Sequence, residues 1–362
     1  MKTDFKSFRV GTVFNPLKIR YQSIKPVCKN VRIKFPSRLN AMALDPAKIT
    51  SNSNLIYTPG ELVFCVNIYN FVEVRIINKR GCIGISEGSK RKSLIKHAGM
   101  LMRKSLNFKE GLWINVDNKK EIRHCGLGSS SRLIASVACA INELYGNPVN
   151  CDDLVKYVAQ NHGEEIDGKE DLLMPVQCIG GSAAAGMFNG GVLVIAGESC
   201  VIKTMDVSPD YDVVIGIPMD YKELDSKVFL EMEIKNFDKF LKTGQRYGSK
   251  IAYNILHSVL PAMVRGDLKT IGDIVFDYRF NIGSIKNCSY CYPKLPEITD
   301  KLAYLKIKGI ADVLAISSVG PGIFAITKKS SMCVKAFKKV NLKTFVAKIE
   351  NKKYSVLERK TI

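Results

Sequence analysis

The stretch HCGLGSSSRLIASVACAINELYG, His124 to Gly146, sets two glycines and three serines directly before a long apolar pattern of helical period. The first amides of a helix have no partner within it, and the helix dipole adds positive potential there, so an anion is doubly favoured. Gly126 and Gly128, flanking Leu127, let the backbone approach a phosphate closely. Ser129, Ser130 and Ser131 can cap the helix and donate hydroxyls, and Arg132 adds a planar fork. No Lys-Ser or Lys-Thr pair follows the glycines, so this is not a P-loop. The chemistry implied is phosphate or pyrophosphate binding; a capped turn is the plain alternative.

Other residues invite chemistry less directly. The acidic stretch HGEEIDGKED (His162 to Asp171) offers Mg²⁺ ligands, or a base through Asp167 or Asp171, or simply a solvated loop. His124 abuts the glycine loop and suits either an anion ligand or a structural bridge, whereas His257 lies on an apolar helix face and is expected in the core. Eleven cysteines are scattered through mostly apolar runs, where thiols behave as small hydrophobes. Cys288 and Cys291 have knuckle spacing, but no second pair or nearby histidine completes a metal site.

A formal charge of +20 attracts polyanions: nucleic acid, a membrane surface or small phosphorylated substrates. Lysines spread along the whole chain read as a solvated surface, and no aromatic-plus-basic RNA signature accompanies them, so nucleic acid is not expected as a partner. There is no apolar run of membrane-spanning length, and the opening lacks the apolar core of a secretory signal, so the expected location is cytoplasmic, without a membrane partner.

These residues need a scaffold, and 362 residues suffice for two domains with a cleft between them. Residues 1–30 are basic and weakly periodic, an appended arm. In residues 31–209, Val31, Ile33 and Phe35 alternate as a strand, ELVFCVNIYNFVEVRIINK reads as two more strands, and KSLIKHAGMLMRKSLNF reads as a helix. Leu133, Ile134, Val137, Ala138, Ile141 and Leu144 keep one helical face apolar until Gly146 stops it. A second unit is expected over residues 210–362: a strand in YDVVIGIPM, two helices joined at Arg265-Gly266-Asp267, a helix in LPEITDKLAYLKIKG, and two strands around a turn in ADVLAISSVGPGIFAITKK. The class is α+β.

The segment GLGSSSRLIASVACAINELYG resembles the central motif of the GHMP superfamily, which wraps the ATP phosphates in galacto-, homoserine, mevalonate and phosphomevalonate kinases. Within that superfamily PSRLNAMALD (Pro36 to Asp45), GGSAAAGMFNGGVLVIAG (Gly180 to Gly197) and ISSVGPGIFAIT (Ile316 to Thr327) resemble the beta-ribofuranosylaminobenzene 5'-phosphate synthases. The resemblance covers residues 31–330. It implies a GHMP-kinase-like two-domain fold: a βαβ-rich N-terminal domain carrying the phosphate loop and a ferredoxin-like α+β C-terminal domain.

GHMP kinases carry an aspartate seven places before a Gly-Gly pair, oriented to take the proton of the accepting hydroxyl. Counting back from Gly190-Gly191 lands on Ala183, which cannot. The resemblance therefore implies the synthase chemistry: an aromatic carboxylic acid and phosphoribosyl pyrophosphate give a C-riboside 5'-phosphate with loss of carbon dioxide and pyrophosphate. Asn40 stands where that family usually has a histidine, so a heteroaromatic acceptor has equal standing with 4-aminobenzoate. By resemblance, Gly126 to Ser131 hold pyrophosphate, Ser37 and Arg38 reach a substrate carboxylate or phosphate, Asp45 binds Mg²⁺ or ribose, and Ser182, Ser317, Ser318 and Gly320 line the remaining walls. Mg²⁺ is the implied cofactor and a homodimer the implied assembly. An ATP-dependent small-molecule kinase and a non-catalytic phosphate-ligand or nucleic-acid binding protein are the other readings.

Overall fold

The computed structural model describes residues 6–19, 21–49, 59–118 and 124–362. In chain order the elements are β1 (Phe8–Arg9), β2 (Cys28–Ala43), β3 (Glu61–Ile77), β4 (Ile83–Ile85), α1 (Lys92–Leu106), β5 (Gly111–Asp117), α2 (Ser129–Leu144), α3 (Cys151–Gln160), β6 (Gly163–Ile166), β7 (Lys169–Pro175), α4 (Gly181–Met187), β8 (Val192–Ala196) and β9 (Cys200–Met205). There follow β10 (Asp212–Pro218), α5 (Ser226–Ile234), α6 (Phe237–Asn254), α7 (Leu260–Arg265), α8 (Leu268–Phe276), α9 (Ser284–Asn287), α10 (Leu295–Leu302), α11 (Tyr304–Ile307), β11 (Val313–Ile316), β12 (Ile323–Thr327), α12 (Ser330–Lys339), β13 (Leu342–Lys348) and β14 (Ser355–Thr361).

Among the described residues the strands form three sheets. The largest runs β14-β2-β3-β5-β4, with β8 and β9 extending it beside β3. Its first strands show the expected alternation, Val31, Ile33 and Phe35 packing with α1 and α2 in one core. At Pro36 the register breaks, Phe35 opposing Asn70 and Ser37 opposing Val66, at a residue that has no N–H to give the ladder. Beyond the slip Leu39 and Ala41 join a second core, and Arg38 and Asn40 turn to the side where α2 begins. The same irregularity is absorbed on β3 by extra residues between Val66 and Asn70, so the two strands expected in this stretch are one continuous strand.

The second sheet has the order β11-β12-β10-β13, antiparallel throughout. Helices α5 to α11 separate its first two strands in sequence and α12 its last two, the split βαβ arrangement of a ferredoxin-like unit. Both faces are buried: Val213, Ile215 and Phe324 face the second core, while Val214, Leu314 and Ile323 face a third. The period of two does this, sending successive side chains to opposite faces. Arg265 ends α7, Gly266 takes a left-handed C-cap and Asp267 caps α8 through the Thr270 amide, so the joint lies where glycine and aspartate placed it.

Two segments cross the divisions read from the sequence. β14 pairs with β2, so the end of the 210–362 span closes an edge of the first sheet. The basic arm is pinned as well, because β1 pairs with β7 and the Gly11 amide donates to His97 Nδ1 at 2.9 Å. His97 Nε2 then donates to the Asn161 carbonyl, and burial pushes the imidazole pKa down to about 4, so the ring is neutral. His257, expected in the core, is exposed beside Tyr253. The stretch 51–58 lies outside the described residues. No helix among them is long and apolar enough to cross a membrane.

Candidate active site

A cavity of about 760 Å³ opens where α2 begins. Gly126 and Gly128 both have positive φ, 87° and 63°, and Gly128 is the left-handed N-cap of α2. The first intrahelical bond runs from Arg132 N–H to Gly128 O at 2.9 Å, so the amides of Ser129, Ser130 and Ser131 precede the ladder, and these three residues line the cavity.

The loop is held from three sides. Ser37 Oγ donates to Leu127 O at 3.0 Å, Arg38 Nη1 donates to Gly126 O at 2.9 Å, and Ser317 Oγ donates to the same oxygen at 2.6 Å. Ser131 Oγ donates to Ser182 Oγ at 2.7 Å, tying α2 to α4. Only glycine fits at two points: a Cβ on Gly126 would lie 2.2 Å from Ser317 O, and one on Gly128 would lie 2.4 Å from Ser182 Oγ. Ser318 N–H donates to Asn40 O at 2.9 Å, which seats the turn after β11 against β2.

Of the residues selected from the sequence, Arg38, Gly126, Gly128, Ser129, Ser130, Ser131, Ser182, Ser318 and Gly320 line the cavity. Ser37 and Ser317 stand behind the wall and position the loop. Three assignments need correction. Asp45 accepts from the Ala47 amide at 3.2 Å and caps a short turn, away from the cavity lining. Arg132 is turned by the helical period toward Ile68 O, at 3.3 Å, so its fork does not face the anion site. The Leu127 side chain packs on the second core.

Several site residues escaped the sequence reading. Arg91, from the basic run preceding α1, donates to Ser129 Oγ at 3.2 Å and Ser130 Oγ at 2.6 Å, and pairs with Glu164 and Glu165 at 3.1 and 2.8 Å. Ser130 Oγ also donates to Glu164 Oε2 at 2.8 Å. Burial would raise the Glu164 pKa, but the His162 bond and the Arg91 charge outweigh it and hold the carboxyl well below the usual range. The acidic stretch thus reaches the site through Glu164, not through Asp167 or Asp171; Asp171 is exposed beside Lys96. Glu61 is buried, accepts from Asn40 Nδ2 and, at 2.7 Å, from the Gly181 amide, and lies 3.9 Å from Arg38 Nε. That Arg38 nitrogen is buried and has no hydrogen-bond partner, as expected of a donor kept for a ligand.

His124 lines the cavity; its ring shares a hydrogen bond with Ser226 Oγ at 3.0 Å and stacks on Phe229 at 4.9 Å, docking α5 beside the loop. Cys291 donates to Val319 O, and no group of three or more His, Cys, Asp or Glu side chains among the described residues forms a metal cluster.

The first sheet with α2 opening onto the cavity, together with the ferredoxin-like second unit, gives an α+β fold of the GHMP-kinase kind. Residues 93–176 match the family described as GHMP kinases N terminal domain. The galactokinase of Lactococcus lactis, solved with galactose, superposes with a TM-score of 0.65 over 91% of this chain and 95% of its own at 13% identity, a likeness of fold alone. Beyond residues 93–176 the chain is similar in sequence to the ribofuranosyl-arene phosphate synthases. The beta-ribofuranosylphenol 5'-phosphate synthase of Methanothermobacter thermautotrophicus is 23% identical over 206 residues, 56% of this chain and 60% of that protein. Its namesake from Archaeoglobus fulgidus is 26% identical over 237 residues, 58% of this chain and 62% of that protein. The matched part therefore spans about three fifths of these curated relatives.

Proposed function

We propose that this chain is a phosphoribosyltransferase that joins an aromatic or heteroaromatic carboxylic acid to phosphoribosyl pyrophosphate. The bond from the anomeric carbon to pyrophosphate breaks with its electron pair leaving on oxygen. The ring carbon bearing the carboxylate bonds that anomeric carbon, and loss of carbon dioxide returns the electron pair to the ring. The relatives' names, which specify a phenol carrying a ribofuranosyl 5'-phosphate, support this reading.

The observation that carries it is the mouth of α2, open to the cavity and lined by Gly128 and three serines, with Ala183 buried on α4 where kinases of this fold hold an aspartate. Preorganised amides stabilise charge as it develops on the leaving group. Arg38 flanks them on the cavity side with a guanidinium suited to phosphate oxygens, and Arg91 holds the Ser129 and Ser130 hydroxyls from behind. Ser130 Oγ and the Glu164 carboxylate are adjacent hard oxygen donors that fit Mg²⁺. Bound there, Mg²⁺ would neutralise charge on the diphosphate.

One observation favours a second reading, an ATP-dependent kinase: the Glu61 carboxylate borders the cavity. Incubating the protein with phosphoribosyl pyrophosphate, Mg²⁺ and a panel of aromatic acids, and separately with ATP, decides between them. Pyrophosphate released only when an acid is present is the expected result; ADP formed from ATP without pyrophosphate release overturns it.

A further inference from the structure

Across the cavity from α2 lies a different kind of wall. Phe229 and Leu230 on α5, Phe237 and Phe240 on α6, and Val319 line it. Arg279, in the π-helical turn after α8, lies on the same cavity, its residue only 3% exposed. Its Nε donates to Ala41 O at 2.5 Å, its Nη1 to Ser284 Oγ at 3.0 Å, and its Nη2 to Asn40 O at 3.2 Å and Asn40 Oδ1 at 3.4 Å.

Every one of these partners is neutral. No acidic side chain among the described residues lies within 4.0 Å of Arg279, whereas Arg38 faces Glu61 and Arg91 faces Glu164 and Glu165. The neighbouring Cys288 thiol, pushed up to about 12 by burial, supplies no charge either. Burying a cation against dipoles alone is costly, and the cost falls when an anion joins it. The guanidinium has five N–H donors; these contacts engage four, which leaves one on Nη1 for a carboxylate oxygen. Beside it, the aromatic wall offers stacking for a flat ring.

We infer that Arg279 binds the carboxylate of the aromatic acceptor while Phe229 and its neighbours hold the ring, making this wall the acceptor subsite. The inference rests on the proposed ribosyl transfer and adds the residue that selects an acid. His124 stacks on Phe229 and stands two residues before Gly126, so the ring wall and the phosphate loop share one support.

Titration calorimetry of the full chain with 4-aminobenzoate and its uncharged counterpart 4-aminobenzamide, and with 4-hydroxybenzoate and 4-hydroxybenzamide, tests this. The unaltered protein is expected to bind each acid at least tenfold more tightly than its amide. Arg279→Lys should keep part of that preference and Arg279→Met should abolish it, with affinity for inorganic pyrophosphate unchanged within twofold. Amides binding as well as acids, or pyrophosphate weakened as much as the acids, overturns the inference; the latter result would assign Arg279 to a phosphate group. Arg279 also holds the Asn40 and Ala41 carbonyls, so thermal unfolding checks each variant. Should Arg279→Met not fold, the acid and amide comparison on the unaltered protein decides, together with Phe229→Ala: a loss of at least fivefold in acid affinity supports the inference, and no loss overturns it. Pyrophosphate release with no preference for acid over amide sinks the subsite alone. Acid binding at Arg279 without pyrophosphate release sinks ribosyl transfer alone.

Discussion

The two walls of the cavity solve the burial of charge in opposite ways. On the α2 side Arg38 lies by Glu61, Arg91 behind the serines pairs with Glu164 and Glu165, and the loop between them is fixed through backbone oxygens. On the α5 side the Arg279 cation has only neutral partners, and the acid there, Glu233, lacks a cationic one within 4.0 Å among the described residues. The first wall is balanced and rigid, as suits a diphosphate whose charge must be received without rearrangement. The second is unbalanced, as suits a wall completed by what it binds.

The largest effect is expected where the first wall is made of backbone. Gly126→Ala puts a Cβ 2.2 Å from Ser317 O at a φ of 87°. The left-handed conformation alone costs a side chain about 1–2 kcal/mol, and the contact forces the loop off β11. Stability is expected to fall by about 2–4 kcal/mol in chemical unfolding. In the folded fraction, pyrophosphate release should fall about 100-fold, because displacements near 1 Å have that effect on positioned groups. A variant with unchanged activity would mean that the loop is not the anion site.

Arg91→Met is next. It frees the two serine hydroxyls that Arg91 positions, and losing the equivalent of one charge-assisted hydrogen bond, about 1.5–3 kcal/mol, should raise KM for phosphoribosyl pyrophosphate by about 10-fold to 100-fold. KM for the acid should move little. Equal changes in both constants would erase the division between the walls.

How much of this was legible depended on how local the signal was. The glycine-serine loop, α1, α2 and the joint at Gly266 follow from caps, glycines and a period of 3.6 read within a few residues. Arg38 was chosen by resemblance, and the reason it faces the cavity is the register slip at Pro36, which the simple alternation of Val31, Ile33 and Phe35 does not foretell. Arg91 meets Ser129 and Ser130 across 38 and 39 positions, Glu61 meets Gly181 across 120, and Arg279 meets Asn40 across 239. Such pairs are made by tertiary packing and leave no spacing rule behind. Weak signals existed: the SKRKS run before an apolar helix for Arg91, and a lone arginine inside the apolar IVFDYRFNIG stretch for Arg279. Asp45 misled because an aspartate that caps a turn and one that binds a ligand look the same in one dimension.

The smallest effect sharpens the contrast from the second wall's own acid. Burial pushes the Glu233 carboxyl up to about 7; the Tyr290 hydroxyl, 3.5 Å away, opposes this and the Glu164 charge adds to it. The folded chain therefore keeps a proton between pH 4.5 and about 7 that the unfolded chain has released, so this group's contribution to stability falls as pH rises through that window and is constant above it. Gln resembles the neutral acid in shape and carries no charge to desolvate. Glu233→Gln should thus unfold at the same temperature as the parent at pH 4 and on the order of 2 °C higher at pH 8. The matching change in the first wall, Glu164→Gln, should behave oppositely and lower the unfolding temperature at pH 8, since the carboxylate there is held in its charged form by Arg91 and His162. Parallel shifts in the two variants would mean that both walls bury charge alike, and the distinction between a balanced and an unbalanced wall would fail.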